Sequence, residues 1–453
     1  MGFALCFIAF LFTFRMSRRS LGHGLSAVLA TGYFYGIIRA HFPDGGSHFV
    51  PDAAAAAIYL AQLTAKEDVD SPGDPAIKIW LIVLTIWPVL TILISPFVPS
   101  QDILIQLVGL RAAIYFLPFI VLGTKLSSDD LRTMAIWLCV LNIIAFAVGV
   151  LEFQFGIEKF IPETEATKLI YMSTDVGEDR DYRIPSIFGS AHAFAGTMLL
   201  TAPFLVWYLE RISGWRRWLT LASLAMSVIS IFMAAARSPV IQLAMVLILA
   251  TLSTRFSLKR LFAVFVMMCV VGFLVYTVPR FQRFTTLSET EMVQKRISGG
   301  QLGFVDVVAD HPLGVGLGGA FGTSIPYFLQ DRARPMIGIE NEYGRIALEQ
   351  SVFGLALWCT FVGWLLLDRA RKRRLPGFSG RFFWLTVVAC WGTGFIGVGI
   401  LTAIPSTPLL LLQMGLLAVG RTDEEPLEEA AAAPPRFGAL PRAVAAFPGE
   451  AAE

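Results

Sequence analysis

Apolar runs of membrane-spanning length recur along this chain and commit most of it to helices that cross a bilayer. Residues 261–278 and 382–401 are two of them, and about twenty apolar residues in a helix traverse a hydrocarbon core of roughly 30 Å. Of 453 residues, 55% are apolar and only 15% are charged, so groups able to do chemistry are scarce and their placement is informative. The net charge of +2 names no partner by its sum. All five cysteines (Cys6, Cys139, Cys269, Cys359, Cys390) fall in apolar segments, which reads as small buried hydrophobes with neither disulfide nor metal spacing. Met1 leads straight into an apolar run, without the basic leader and cleavage site of a removable signal.

Candidate spans lie near residues 1–14, 22–41, 79–97, 103–123, 132–153, 192–209, 217–235, 239–254, 261–279, 346–367, 382–401 and 406–420. Basic clusters orient them. Arg211/Arg216/Arg217, Arg255/Lys259/Arg260 and Arg369/Arg371/Lys372/Arg373/Arg374 recur after every second span, which marks those loops as cytoplasmic. Arg15, Arg18 and Arg19 fall on the same side only if one more crossing lies between residues 41 and 79. The Ala-rich stretch 49–64 supplies it, unless that stretch is an interfacial helix. The expected fold is therefore an all-α polytopic membrane protein of about 12–13 transmembrane helices, with the N-terminus outside and the C-terminus inside. It divides into N-terminal transmembrane helices (1–153), an external loop (154–191), central transmembrane helices (192–280), a large and partly helical external loop (281–345), C-terminal transmembrane helices (346–420) and a disordered cytoplasmic tail (421–453).

Polar residues inside or beside the spans need a reason. Arg111, within the apolar run 103–123, should face the interior and meet an anion or a carboxylate, or else snorkel to the interface. Arg237 lies in an outer turn, where an interfacial anchor is the simpler reading. The first external loop carries Asp179 and Asp181, spaced like an acidic metal pair but with no further ligand, so no metal is expected. Arg183 follows; its guanidinium suits bidentate binding of phosphate oxygens, although loop arginines are often only solvated. In the large loop, Arg296 precedes an apolar-periodic stretch and then Gly314, Gly316, Gly318 and Gly319. Such a cluster either aims backbone N–H groups at phosphate or makes a tight turn for close packing; the spacing is not that of a dinucleotide fingerprint. Glu340, Asn341 and Glu349 bracket the return to the membrane. Glu340 stands where partial desolvation would make a carboxylate a better proton acceptor, and either glutamate also complements a helix dipole.

Taken in order, these pieces resemble the O-antigen ligase and polysaccharide polymerase superfamily of bacterial inner-membrane glycosyltransferases. The matching segments are Arg183…Phe188-Gly189-Ser190-Ala191-His192, Ala236-Arg237-Ser238, Arg296…His311-Pro312-Leu313-Gly314-Val315-Gly316-Leu317-Gly318, and Glu340-Asn341…Glu349…Gly354-Leu355. Gly32-Tyr33…Gly36-Ile37-Ile38-Arg39 is similar to exopolysaccharide-type members. The chain departs from the pattern at Glu340, where ligases usually carry histidine, at Ser351, which replaces a glycine, and at Ala191-His192, which replaces Pro-Asn. The first departure favours a polymerase over a ligase.

The resemblance implies a periplasmic reaction at the inner membrane. A polyprenyl-diphosphate-linked oligosaccharide would be transferred to an acceptor glycan, with no cofactor because the donor is already activated. It implies Glu340, Arg183 and Arg296 as catalytic residues, and Arg237, Arg111, Asn341, Glu349, Gly314 and Gly316 as substrate-binding. A flippase and a chain-length regulator would be protein partners, alongside the lipid bilayer; nucleic acid would not be a partner. Transfer of glycan to lipid A-core is the first alternative and a polysaccharide or lipid-linked oligosaccharide transporter the second. Against transport stand the lack of an evident internal repeat and the gathering of polar residues on one face.

Overall fold

Short polar signals start the helices that the apolar runs fill. In the computed structural model the described residues are 1–65, 75–94, 97, 100–171, 182–253, 304–320, 325–337, 339, 341–369, 377–395, 397 and 399–419. Helices α1 (Gly2–Ser17), α2 (Leu21–His41), α3 (Val50–Thr64), α4 (Pro75–Ile94), α5 (Ile103–Ile114), α6 (Pro118–Thr124) and α7 (Ser128–Phe155) form the N-terminal half. After α8 (Glu165–Tyr171) come α9 (Ala191–Leu209), α10 (Trp215–Met233) and α11 (Arg237–Ser253). A short helix over 304–310, α12, precedes α13 (Glu342–Gly363), α14 (Gly377–Gly392) and α15 (Ser406–Val419). The described residues are thus all-α, apart from one isolated bridge between Ala320 and Ile337.

Capping residues set the starts. Ser20, Asp102, Ser190 and Asn341 each accept a backbone N–H from the first turn of the helix they precede. Ser127 and Asp130 form a reciprocal capping box at α7, and the other oxygen of Asp130 takes the Gly22 N–H of α2 at 2.8 Å. The starts of two long helices are thereby locked together. The apolar run 103–124 is broken at residues 115–117, just before Pro118, whose ring cannot continue a helix.

Among the described residues, seven stretches are long and apolar enough to cross a membrane: Leu21–His41, Pro75–Leu93, Ile103–Thr124, Ser128–Phe155, Ala191–Leu209, Trp215–Met233 and Glu342–Asp368. Gly2–Ser17, Arg237–Thr251 and Ser406–Val419 are shorter apolar helices. On α4, Ile79, Ile82, Ile86, Val89, Leu90 and Leu93 all face outward. Their spacing of three or four residues makes one continuous apolar stripe on the helix. Soluble monomers seldom expose such a surface, whereas lipid requires it. The chain is a multi-pass membrane protein.

Inside the bundle, a neutral network joins four helices near their mid-length. Tyr33 of α2 donates to Asn142 Oδ1 (2.5 Å), and Asn142 Nδ2 donates to Thr201 of α9 (2.9 Å) and Ser227 of α10 (2.8 Å). Small residues allow close crossings elsewhere. A Cβ on Gly415 of α15 would sit 2.1 Å from the Ile120 carbonyl of α6, so only glycine fits there.

The expected span 382–401 is shorter than its apolar run. Helix α14 stops at Gly392, and the glycine-rich residues after it fold back over the start of α13, where their N–H groups serve a carboxylate. The stretch 50–64 is a full helix lying along α1, whose Gly2 N–H and Cys6 thiol reach Asp44 and the Gly46 carbonyl. The expected span 261–279 and the tail 421–453 lie outside the described residues.

Candidate functional site

The paired arginines of the bundle, Arg111 and Arg345, lie at one end, where α2 and α7 finish and α3, α5, α9, α11 and α13 begin. At the start of α13 the spacing Glu342, Arg345, Glu349 puts three charges on one helix face, three and four residues apart. All three are fully buried. Arg345 Nη2 meets Glu342 Oε1 and Nη1 meets Glu349 Oε2, both at 2.6 Å. The remaining carboxylate oxygens take backbone donors from outside the helix. Glu342 Oε2 accepts from Gly399 (2.7 Å) and Ile400 (3.2 Å), and Glu349 Oε1 accepts from Gly318 (3.1 Å). Burying three charges is costly, and the cost is offset only because each is matched. Two loops far apart in sequence are thereby fastened to one helix.

The glycine cluster is the second part of that fastening. Gly314, Gly316 and Gly318 all have positive φ, which lets the chain fold flat against α13 and α5. A Cβ on Gly314 would meet the Leu348 carbonyl at 2.5 Å, and one on Gly318 would meet Ile105 at 2.8 Å. The Val315 N–H donates to the Leu348 carbonyl (2.7 Å) and the Gly319 N–H to Gly316 (3.1 Å). These amides are engaged within the protein, and they pack the turn against α13.

The Leu348 carbonyl is available because α13 is interrupted. Ser351 has φ 65° and ψ 174°, a region that side chains avoid at a cost of about 1–3 kcal/mol. The break releases the Gln350 carbonyl, which accepts from Trp87 Nε1 at 2.7 Å. This is the position at which the resemblance expects glycine.

Arg183 stands beside His192 at the start of α9, with Nη1 3.5 Å from Nδ1. The loop carrying it is anchored below: the Ser186 N–H donates to buried Glu152 (2.8 Å), and the Ile37 N–H of α2 donates to Ile187 (3.2 Å). Arg237 opens α11 after Ala235, whose φ is 50°. Its neighbour Ser238 approaches Gly397, and Gln242 donates to Thr393 (2.9 Å), so the turn abuts the segment that holds Glu342. Arg111 meets a carboxylate, as one branch of the sequence reading required. Its Nε and Nη2 grip Asp52 of α3 in a bidentate pair.

Of the other residues that the resemblance singles out, Asn341 is buried and caps α13 through the Gly344 N–H (3.0 Å). Glu349 is closed on Arg345 and Gly318. Glu340, Arg296, Asp179 and Asp181 lie outside the described residues. Sequence reasoning missed Glu342, Arg345 and Asp52. The first two were legible as a carboxylate, an arginine and a carboxylate on one helix face; Asp52, far from Arg111 in sequence, carried no local signal. In comparison with known proteins, no family model matches the chain and no curated relative matches it significantly.

Proposed function

We propose that the chain is a polysaccharide polymerase that transfers a polyprenyl-diphosphate-linked oligosaccharide to the end of an acceptor glycan. The observation that carries this reading is the separation of charge by depth. Among the described residues the buried charges, apart from Asp130 in the capping box at the far end of α7, sit at one end of the bundle, while the mid-length network of Tyr33, Asn142, Thr201 and Ser227 is neutral. A transporter wants its polar site near the midplane; an enzyme acting on a lipid diphosphate at the membrane surface wants it at one end.

Sidedness follows the cations. Arg15, Arg18 and Arg19, Lys78, Arg132, Arg211, Arg216 and Arg217, and Arg381 all fall at the opposite end of the helices, which the positive-inside rule makes cytoplasmic. Exposed Trp215 and Trp218 lie beside them as an interfacial belt. Counting α5 with α6 as one crossing, and adding the apolar run 261–279, gives about thirteen crossings. The charged end is then the periplasmic face of an inner membrane.

In the reaction, an acceptor hydroxyl attacks the anomeric carbon of the donor sugar. The bond from that carbon to the diphosphate oxygen breaks, and the lipid diphosphate leaves with the electron pair. Arg183, with His192 beside it, and Arg296 offset the charge on the leaving group, with Arg237 in support. Glu340 takes the hydroxyl proton. Glu342, Arg345, Glu349 and Asn341 hold the framework that carries Glu340.

The test is to incubate purified protein with polyprenyl-diphosphate oligosaccharide alone. A ladder of longer lipid-linked products is expected, falling at least about tenfold for Arg183→Ala. Product formed only after lipid A-core is added would make the protein a ligase, and no covalent product at all would favour transport. Full polymer output from both Arg183→Ala and Arg296→Ala, inserted normally, would overturn the proposed roles.

A further inference from the structure

We propose that the same end of the bundle holds a separate binding site for a phosphate oxyanion, framed by Arg39, His48 and Arg111. Three elements supply it: the last turn of α2, the 3-10 turn Ser47–Phe49, and the third turn of α5.

His48 is buried, 5% exposed. Its Nδ1 lies 3.1 Å from the Tyr35 hydroxyl, and its Nε2 is buried without a hydrogen-bond partner. With the Tyr35 hydroxyl donating to Nδ1, a neutral imidazole carries its proton on Nε2. Among the described residues that nitrogen meets no protein partner, and buried polar groups left unpaired are rare enough to need an explanation.

The charge around that donor is positive. Burial, and then the charges of Arg111 and Arg39, lower the His48 pKa to about 3, so the ring stays neutral. Asp52 is the carboxylate that pairs with Arg111, and it takes Nε and Nη2 but leaves Nη1. Among the described residues no carboxylate lies within ion-pair distance of Arg39. Two nearby carboxylates are committed elsewhere. Asp44 accepts the Gly2 N–H (2.7 Å) and the Ser47 N–H (2.8 Å), and Glu152 accepts the Ser186 N–H (2.8 Å). Tyr171, also near Arg39, donates to the Gly36 carbonyl (2.9 Å).

The cluster reaches solvent, since Arg39 is half-buried and the Arg111 side chain is 20% exposed. Donors from three separate elements suit a tetrahedral oxyanion better than a planar carboxylate, which the Arg111 fork already holds. The phosphate can come from an anionic lipid headgroup, a lipid diphosphate or free phosphate. The site stands on these contacts alone and does not require the transferase reading.

The test is calorimetric titration of inorganic pyrophosphate into the full chain in neutral detergent. The wild type is expected to bind, with Arg39→Gln and His48→Leu at least about tenfold weaker. His48→Gln, whose amide nitrogen can stand in for Nε2–H, should stay within about threefold of wild type. Asp52→Asn, which frees the Arg111 fork, should bind more tightly. A purely structural role for these residues would not produce that opposed pair of effects. Arg39→Gln keeps the test decisive if a buried variant fails to fold, because Arg39 is only half-buried. Failure of the wild type to bind, or loss on Arg183→Gln with none on Arg39→Gln, would overturn the proposal. Repeating the titration in nanodiscs identifies the source. Competition by phosphatidylglycerol but not phosphatidylcholine assigns the site to a headgroup, and undiminished binding in both assigns it to a substrate phosphate.

Discussion

Two arginine clusters at the same end of the bundle are inverse in charge. At the start of α13 one guanidinium, Arg345, is shared by two carboxylates, Glu342 and Glu349, and the carboxylate oxygens left over take backbone N–H groups. Beside α2 and α5 two guanidiniums, Arg39 and Arg111, stand against one carboxylate, Asp52, which pairs with Arg111, around a buried histidine nitrogen. The first cluster is saturated from within and ties segments together. The second carries surplus positive charge and a buried ring nitrogen with no protein partner among the described residues, which suits a site that takes something from outside. An arginine near a membrane surface is therefore a functional residue by default only until its partners are counted.

The largest expected effect comes from breaking the saturated cluster. Arg345→Met leaves two buried carboxylates without a counter-charge and should cost about 3–5 kcal/mol, read as a large fall in thermal midpoint and in folded yield. An unchanged midpoint would mean that the trio is not closed as described.

A smaller effect tests the other cluster through pH. The folded value for His48, about 3, lies below the ordinary value of roughly 6.5, so the unfolded chain binds a proton that the folded chain does not. His48 therefore favours the folded state fully above pH of about 6.5, and that contribution drains away as pH falls towards 3. The slope is at most about 1.4 kcal/mol per pH unit. Thermal melts of His48→Gln should lose this acid sensitivity, and equal slopes in both proteins would refute a neutral buried ring.

Ser351→Gly should raise stability by about 1 kcal/mol, because glycine adopts the positive φ without strain while the Leu348 and Gln350 carbonyls keep their partners. A midpoint that falls instead would assign the break to the serine side chain. The smallest effect is Asn341→Ala, which removes the cap of α13 and should cost about 1 kcal/mol or less, read in the same melts.

Much of this was legible in the chain. The apolar runs locate the helices because hydropathy and backbone periodicity are local properties, and the recurrence of basic loops orders their ends. The stretch 50–64 is a helix, which fits either a crossing or an interfacial segment. Where the reading overran, at residues 393–401, composition alone could not distinguish an apolar helix from an apolar glycine-rich loop, since both bury the same surface.

What the sequence alone determined is the alternation of spans and the crowding of Glu342, Arg345 and Glu349 onto one helix face, for those depend on residues a few positions apart. Only the tertiary structure decided that Arg111 closes on Asp52, 59 residues away, and that Glu349 holds the Gly318 N–H, 31 residues away. It alone left His48 Nε2 buried without a partner among the described residues. The reason is physical. A helix fixes its own faces, but which faces meet is set by the packing of the whole bundle, and a buried charge takes its meaning from what it meets.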